Sequence, residues 1–301
     1  MIIKHLKHSE IDKNLWDEKI YQSKNGVLYA MSWYLDVASP GWEALVIDNY
    51  SLVMPLPLKS KYGLKYLIQP FYTQQLGVFS DNEISLNTFQ KFIEAIPYKL
   101  YRLQLNAGNC FNQEKGLLKP NFTLSLDKSY DEIKAKYNQN CKRNLKKSDK
   151  VHQKVKDNIS VEQYLNFIET NLVFKPIKGI MSVLKSILIV TLKNDSAKIL
   201  SVVSEDTNEI LASVFLVYWK NRIYYLMPGS SQKGKEFNSM VFLVDKLIKQ
   251  NSERDILIDF EGSSIEGVAR FYKGFGALPE YYPLLNYNGL PFPLKMMIGK
   301  Q

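Results

Sequence analysis

Two carboxylates and a short basic loop are the residues of this 301-residue chain whose types and spacing suit chemistry. Glu261 lies just past the run Ile256-Leu-Ile-Asp-Phe260, which reads as a buried strand, at the end where clefts open in α/β sheets. A carboxylate there can orient a polar substrate or take a proton through a water. It can equally cap the helix that follows. Asp259, two residues earlier, alternates onto the same face and is the second candidate. Upstream, Pro228-Gly-Ser230 and Lys233-Gly-Lys235 lead into a helical pattern from Phe237 to Gln250. A loop feeding a helix N-terminus presents unpaired N–H groups, which attract anions. Backbone at Met227 and Gly229, close approach at Gly234, and the side chains of Lys233, Lys235 and Asn238 would form such a site. The same stretch also reads as an ordinary glycine-containing turn with solvated lysines. Arg270 is either a further anion ligand or a helix-surface arginine.

Other chemistries are excluded by what is missing. The two cysteines, Cys110 and Cys141, are too few for a disulfide framework or a thiolate metal site. His5, His8 and His152 show no metal-ligand spacing, so no metal is expected. There is no G-x-S-x-G elbow, P-loop or G-x-G-x-x-G run. Catalysis would have to come from positioning and backbone dipoles.

The elements that position these residues follow from periodicity. A capping box, Ser160-x-x-Gln163, opens a helix with apolar Tyr164, Ile168 and Leu172. A second helix spans Met181 to Leu192. Three β-rich runs, Ile199–Val203, Ile210–Trp219 and Arg222–Met227, read as an antiparallel meander. Pro228 should end its last strand. After the helix from Phe237 come the strand Ile256–Phe260, a helix around Val268–Tyr272, and extended runs near Tyr281–Tyr287 and Leu294–Ile298. The first half repeats the order: helices Ile11–Gln22 and Tyr29–Ala38, strands Ala44–Ile47, Leu52–Leu58 and Leu64–Ile68, helix Leu86–Ile96, strand Leu100–Leu105. Its loop Gln69–Gly77 holds no cation. Tyr72, Gln74 and Gln75 would there suit a neutral acceptor by stacking and amide hydrogen bonds, or simply pack the loop.

Between the halves, Ser129-x-x-Glu132 opens a stripe of Ile133, Tyr137, Cys141 and Leu145 whose other faces carry Lys134, Lys136, Lys142, Arg143, Lys146, Lys147 and Lys150. From Ser129 to Lys150 the segment sets seven cations against three carboxylates, a net +4 within the formal charge of +9, from 39 Lys+Arg against 30 Asp+Glu. It is a solvated helix or a face for phosphates. The expected division is 1–126, a basic connecting helix at 127–158, and 159–301, in line with roughly 100–200 residues per domain. A composition of 46% hydrophobic and 23% charged residues excludes a disordered tail, a collagen-like rod and a coiled coil. The longest apolar stretch, Ile187–Leu192, falls short of the roughly 20 residues that span a bilayer. No signal peptide is visible, and a soluble, cytoplasmic protein is expected.

The order of the second half resembles the GCN5-related N-acetyltransferase (GNAT) fold. Ile256-Leu-Ile-Asp-Phe-Glu-Gly262 and Ala269-Arg-Phe-Tyr-Lys-Gly-Phe-Gly-Ala277 resemble that superfamily's last motif, a strand and then a helix ending in Tyr-x-x-x-Gly. Asp259-x-Glu-Gly with Arg-Phe-Tyr-Lys, and the basic run Asn140-Cys-Lys-Arg-Asn-Leu-Lys-Lys147, are similar to a bacterial two-lobed subgroup related to the FemABX aminoacyltransferases. The resemblance implies an α/β (α+β) protein of tandem GNAT-like lobes, each a mixed, mostly antiparallel sheet flanked by helices. It implies an N-acyltransferase using acetyl-CoA or another acyl-CoA, with an amino sugar or cell-envelope precursor as amine acceptor. The third meander strand and the buried strand would splay to admit the donor. Tyr272 would stand in the place of the superfamily's general acid, though as one of 19 tyrosines it also reads as a core aromatic.

One departure bears on the donor. The superfamily's pyrophosphate loop, Arg/Gln-x-x-Gly-x-Gly/Ala, reads here Ser231-Gln-Lys-Gly-Lys-Glu236, with an acid in place of the small residue. FemABX-type enzymes also lack a well-formed loop, because their donor is aminoacyl-tRNA. Two alternatives therefore stand beside the acyl-CoA reading: an aminoacyltransferase using tRNA held on the basic helix at 134–150, and a non-catalytic binding module that retains the fold.

Overall fold

Polar caps and proline breaks divide the chain into its elements. The computed structural model describes residues 2–111, 118–171, 179–194, 196–262 and 265–292. It separates into two units, Met1–Lys119 with Tyr281–Gln301, and Pro120–Glu280. The sequence reading draws its lines instead at 126 and 158.

In the first unit, β1 (Ile3–Leu6), β2 (Glu43–Ile47) and β3 (Leu52–Leu56) form an antiparallel sheet in that order. Two helices intervene between β1 and β2. They are α1 (Lys13–Gln22), whose first N–H groups bond to the Asp12 carboxylate, and α2 (Ser32–Ala38). The expected strand Leu52–Leu58 is broken. Pro57 has no N–H to continue the ladder, and beyond it β4 (Leu58–Lys61) pairs with β5 (Leu64–Ile68) in a second sheet. The helix α3 (Leu86–Glu94), capped by Ser85, crosses over to β6 (Leu100–Gln104), which lies parallel to β5. Leu45, Met54, Leu67, Phe89, Phe92 and Leu103 belong to the core.

The second unit opens with β7 (Leu118–Ser125), α4 (Tyr130–Ala135), α5 (Gln139–Ser148) and β8 (Gln153–Lys156). Then come α6 (Val161–Asn171), α7 (Ile180–Lys193) and the meander β9 (Ala197–Ser204), β10 (Ile210–Trp219) and β11 (Arg222–Ser230). The helices α8 (Gln232–Glu236) and α9 (Ser239–Asn251) lead to β12 (Leu257–Asp259), α10 (Glu266–Gly274) and β13 (Leu278–Asn288). The strand order is β7-β12-β11-β10-β9-β8, antiparallel except for β11 beside β12. Leu284–Asn288 of β13 pair with β6, which is why the chain's end belongs with the first unit. Helix, helix, antiparallel strands, helix and parallel strand thus recur in both units, mixed sheets flanked by helices as expected.

Several elements differ from their sequence expectation. The basic stripe is two helices, because Asn138 interrupts it: its side chain accepts from the Cys141 N–H at 2.8 Å and its own N–H bonds to the Gly274 carbonyl at 3.0 Å. Ile133, Tyr137, Cys141 and Leu145 are nonetheless all buried in one core. Pro228 does not end its strand. Phe215 pairs with Leu226 but Ser213 with Gly229, so Met227 and Pro228 together oppose Val214 in a bulge that needs no proline N–H. The loop 231–236 contains the short helix α8. β7 and the lysine-bearing β8 were not anticipated. Leu172 and the run Leu294–Ile298 lie outside the described residues.

Asp245 binds α4, and the turn between α4 and α5, to α9. It is 3% exposed, and its carboxylate accepts from the Tyr130 hydroxyl at 2.9 and 3.1 Å and from the Tyr137 hydroxyl at 3.2 Å. Burial raises its pKa against the opposing pull of the Tyr130 bond, the Lys134 charge, the Tyr137 bond and the Lys246 charge. The same burial, aided by the Asp245 charge, pushes the Cys141 thiol up to about 12, which leaves it inert as a nucleophile. A carboxyl whose folded pKa lies above its unfolded value stabilises fully below the unfolded value, and that contribution is lost as pH rises through the folded one. Asp245→Asn keeps an oxygen for both phenols. Its stability relative to wild type should therefore increase as pH is raised from about 3 to about 7. Urea unfolding across that range checks this, and a pH-independent difference would contradict it.

Candidate functional site

The site is built where two strands stop pairing. β11 and β12 are joined only through Arg222↔Leu257, Ile223↔Ile258 and Tyr224↔Asp259. Past that point Phe260 turns to β7, its N–H bonding to the Phe122 carbonyl at 2.9 Å, while β11 continues along β10. The first residues beyond the last pair, Tyr225 and Phe260, meet edge to face at 5.3 Å. Tyr272 on α10 stacks on Phe260 at 4.6 Å and stands edge-on to Tyr225 at 6.2 Å. Its ring therefore sits where the strands part.

Tyr272 is 5% exposed, and its hydroxyl has no hydrogen-bond partner among the described residues. Burial raises its pKa, and the charges of Glu261 and Asp259 push the same way. At neutral pH the phenol is thus held protonated, as a donor. Tyr272, Glu261 and Asp259 thus lie within electrostatic reach of one another.

The two carboxylates differ in what they hold. Asp259 is 1% exposed; its Oδ2 lies 2.6 Å from Arg222 Nη1 and its Oδ1 accepts the Glu261 N–H at 2.9 Å. Arg222 also approaches Glu280 at 3.5 Å, and Asn121 bonds to that same Glu280 oxygen at 3.4 Å. Burial works against the Arg222 charge, but Asp259, Tyr224 and Glu280 together outweigh it and hold the guanidinium charged. Asp259 is therefore committed to an ion pair and to fixing the turn that follows. In that turn Glu261 and Gly262 both have positive φ, 59° and 60°, and a Cβ on Gly262 would run into the Pro120 carbonyl. Glu261 is half-buried and set in place by Asp259.

The expected phosphate loop is arranged differently. The Gly234 N–H bonds to Ser231 Oγ at 3.0 Å, and the Lys235 N–H to the Ser231 carbonyl at 2.9 Å. Gly234 is buried, and a Cβ there would run into the Leu211 carbonyl of β10. Close packing of α8 on the sheet thus accounts for this glycine. Lys233 pairs with Glu209 at 3.2 Å and lies 5.7 Å from the Phe237 ring. Asn238 adopts positive φ at 56° and precedes α9 without a side-chain cap. The Met227 carbonyl accepts the Tyr164 hydroxyl at 2.7 Å, and Ile168 packs where Gly229 lacks a Cβ.

Arg270 stands apart from these lysines. It is exposed, pairs with Glu266 at 2.6 Å, and borders a shallow hollow between α5 and α10 with Asn138, Asn140, Asn144 and Phe271. Lys142, Arg143, Lys146 and Lys147 of α5 are exposed.

In the first unit, Tyr72 has a φ of 56°, and its carbonyl accepts the Tyr34 hydroxyl. Its own hydroxyl is buried without a partner among the described residues, and burial pushes the phenol pKa up to about 12. Gln75 is spent internally: it accepts the Ala107 N–H at 3.1 Å and donates to the Gln74 side chain at 2.8 Å. Arg222 and Asp245 were missed by sequence reasoning. Their signal is a charge at the end of an apolar strand and another on the apolar face of a helix.

Among solved structures, the chain is similar to FemX, with a TM-score of 0.68 at 13% identity over the whole of both chains. It is similar to L-PGS from Bacillus licheniformis, with a TM-score of 0.56 at 10% identity over 95% of each chain. A tandem GNAT protein from the clavulanic acid biosynthesis pathway gives a TM-score of 0.53 at 10% identity, covering 96% of this chain and 99% of that one. No family model and no curated protein matches. At these identities the likeness is one of fold: the chain has the two-lobed, tandem GNAT-like architecture of the last of these proteins.

Removing one partner of a buried ion pair leaves the other charge uncompensated, at a cost of about 3–5 kcal/mol. Arg222→Ala should lose about that much stability, whereas Arg222→Met combined with Asp259→Leu should recover most of it. Denaturant titration of the three proteins decides. Equal losses in single and double variants would contradict the pairing.

Proposed function

We propose that the chain is an acyltransferase that forms an amide on an amine acceptor, and that its donor is an aminoacyl ester on tRNA. The observation that carries this reading is the placement of the Tyr272 phenol at the parting of β11 and β12, against Phe260 and Tyr225. The amine nitrogen attacks the donor carbonyl, a C–N bond forms, and the bond to the leaving group breaks. Glu261 would take the amine proton through a water, and Tyr272 would donate to the leaving atom. A thiolate, from a thiol of pKa ~8.5, needs little help to leave and is a poor match for a phenol raised above its usual ~10. A ribose oxygen leaves as a far stronger base, and such a phenol suits it.

The fold shared with FemX supports acyl transfer as the reaction class. The arrangement of residues 231–236 supports the choice of donor. The Gly234 N–H is already bonded and its α-carbon faces the sheet, so neither is left to hold a pyrophosphate. The exposed cations of α5, with Arg270 and three asparagine amides in the adjoining hollow, suit the phosphates and sugar edges of RNA. On this reading Lys233 and Lys235 serve α8 and its surroundings, and Gln75, spent within its own unit, is no acceptor contact.

Fluorescence anisotropy with bulk tRNA, and calorimetry with acetyl-CoA, test the donor. The expected result is tRNA binding that weakens at least tenfold between about 50 and 200 mM salt. Lys142→Glu with Lys146→Glu should weaken it further and flatten the salt dependence. Acetyl-CoA binding that Lys233→Ala with Lys235→Ala abolishes, with tRNA silent, would overturn the ester donor in favour of acyl-CoA.

A further inference from the structure

The β4–β5 hairpin ends in a residue that its own fold does not favour. Tyr62 and Gly63 have φ of 53° and 77°, the left-handed pair that a two-residue hairpin turn requires. Asparagine suits the first position, whereas a bulky side chain there is strained. Burial does not offset that strain. Tyr62 is 98% exposed, and its ring contact among the described residues is the Lys61 ammonium, 5.5 Å from the centroid. The hairpin around it, Leu58 to Ile68, contains Lys59, Lys61 and Lys65 and no carboxylate. The register sets Lys59 opposite Tyr66 and Lys61 opposite Leu64 on one face, and Lys65 opposite Ser60 on the other. All three lysines are exposed.

An aromatic at the apex with cations on both faces suits a plane met end-on. A nucleic-acid strand lying along the hairpin would engage the cations of one face only. We propose that this tip docks on an anionic lipid bilayer, with Tyr62 at headgroup level and Lys59, Lys61 and Lys65 against lipid phosphates. The inference does not depend on the acyl-transfer reading, since Tyr272 and the α5 cations lie in the other unit.

Co-sedimentation of the full chain tests it, using phosphatidylcholine vesicles with and without one-third phosphatidylglycerol. Binding is expected only to the anionic vesicles, weakening by about fivefold for each of the three lysines replaced by alanine. Tyr62→Asn is the decisive variant. It relieves the turn, so its unfolding midpoint should equal or exceed that of wild type, while its vesicle binding should fall. Equal affinity for both vesicle types, or unchanged binding by Tyr62→Asn, overturns the proposal. So do hairpin variants that lose bulk tRNA binding while keeping vesicle binding. Vesicle binding alongside failure of tRNA binding would leave this inference standing and remove only the donor assignment.

Discussion

A buried carboxylate on a three-residue strand sets the geometry of the second unit. β12 lies between β11 and β7, and Asp259 at its end can be buried only because Arg222, on the adjoining strand, meets it. An unpaired carboxylate in that position would cost several kcal/mol. The pair does more than neutralise charge. Its free oxygen holds the Glu261 N–H, which fixes a left-handed turn, and Gly262 continues that turn past the Pro120 carbonyl. The chain is thereby forced away from β11 one residue beyond the pair, and Tyr225 and Phe260 are left to receive the Tyr272 ring. The ion pair, the end of strand pairing and the placement of the phenol are one arrangement.

The same economy separates two uses of glycine. In the turn after β12, Gly262 is needed for its φ and for the approach of a neighbouring carbonyl. In α8, Gly234 is needed because the helix rests on the Leu211 carbonyl. A glycine in a loop before a helix suggests close approach of a ligand, but here the close approach is by the protein's own backbone. A pyrophosphate would find the Gly234 N–H and the face of its α-carbon already taken.

Much of this was legible in the sequence. The meander, the helices on either side of it and the strand before Glu261 follow from hydrophobic period and turn residues, and Ile210–Trp219 was read to its final bounds. Spacing and resemblance single out Tyr272 and Glu261, and the Glu261 charge does reach the Tyr272 phenol. What stayed hidden depends on partners far apart in the chain. Arg222 and Asp259 are joined by a parallel register, and Asp245 with Tyr130 by the packing of α4 on α9. Bulges are equally hard to read: Pro228 looks like a strand end until the residue facing it is known. Edge strands such as β8, with one apolar residue among lysines and a glutamine, carry too little pattern to be seen.

The central claim is that the Tyr272 hydroxyl assists departure of an ester-linked acyl group. It is tested most directly by single-turnover release of labelled amino acid from charged tRNA to hydroxylamine, comparing wild type with Tyr272→Phe. Phenylalanine keeps the stack on Phe260 and removes a hydroxyl that no described residue bonds, so folding and tRNA affinity should be unchanged. The account predicts a protein-accelerated hydroxamate yield whose rate falls roughly 100-fold or more in the variant. A variant as fast as wild type, or a wild-type rate no faster than hydroxylamine alone, would contradict it.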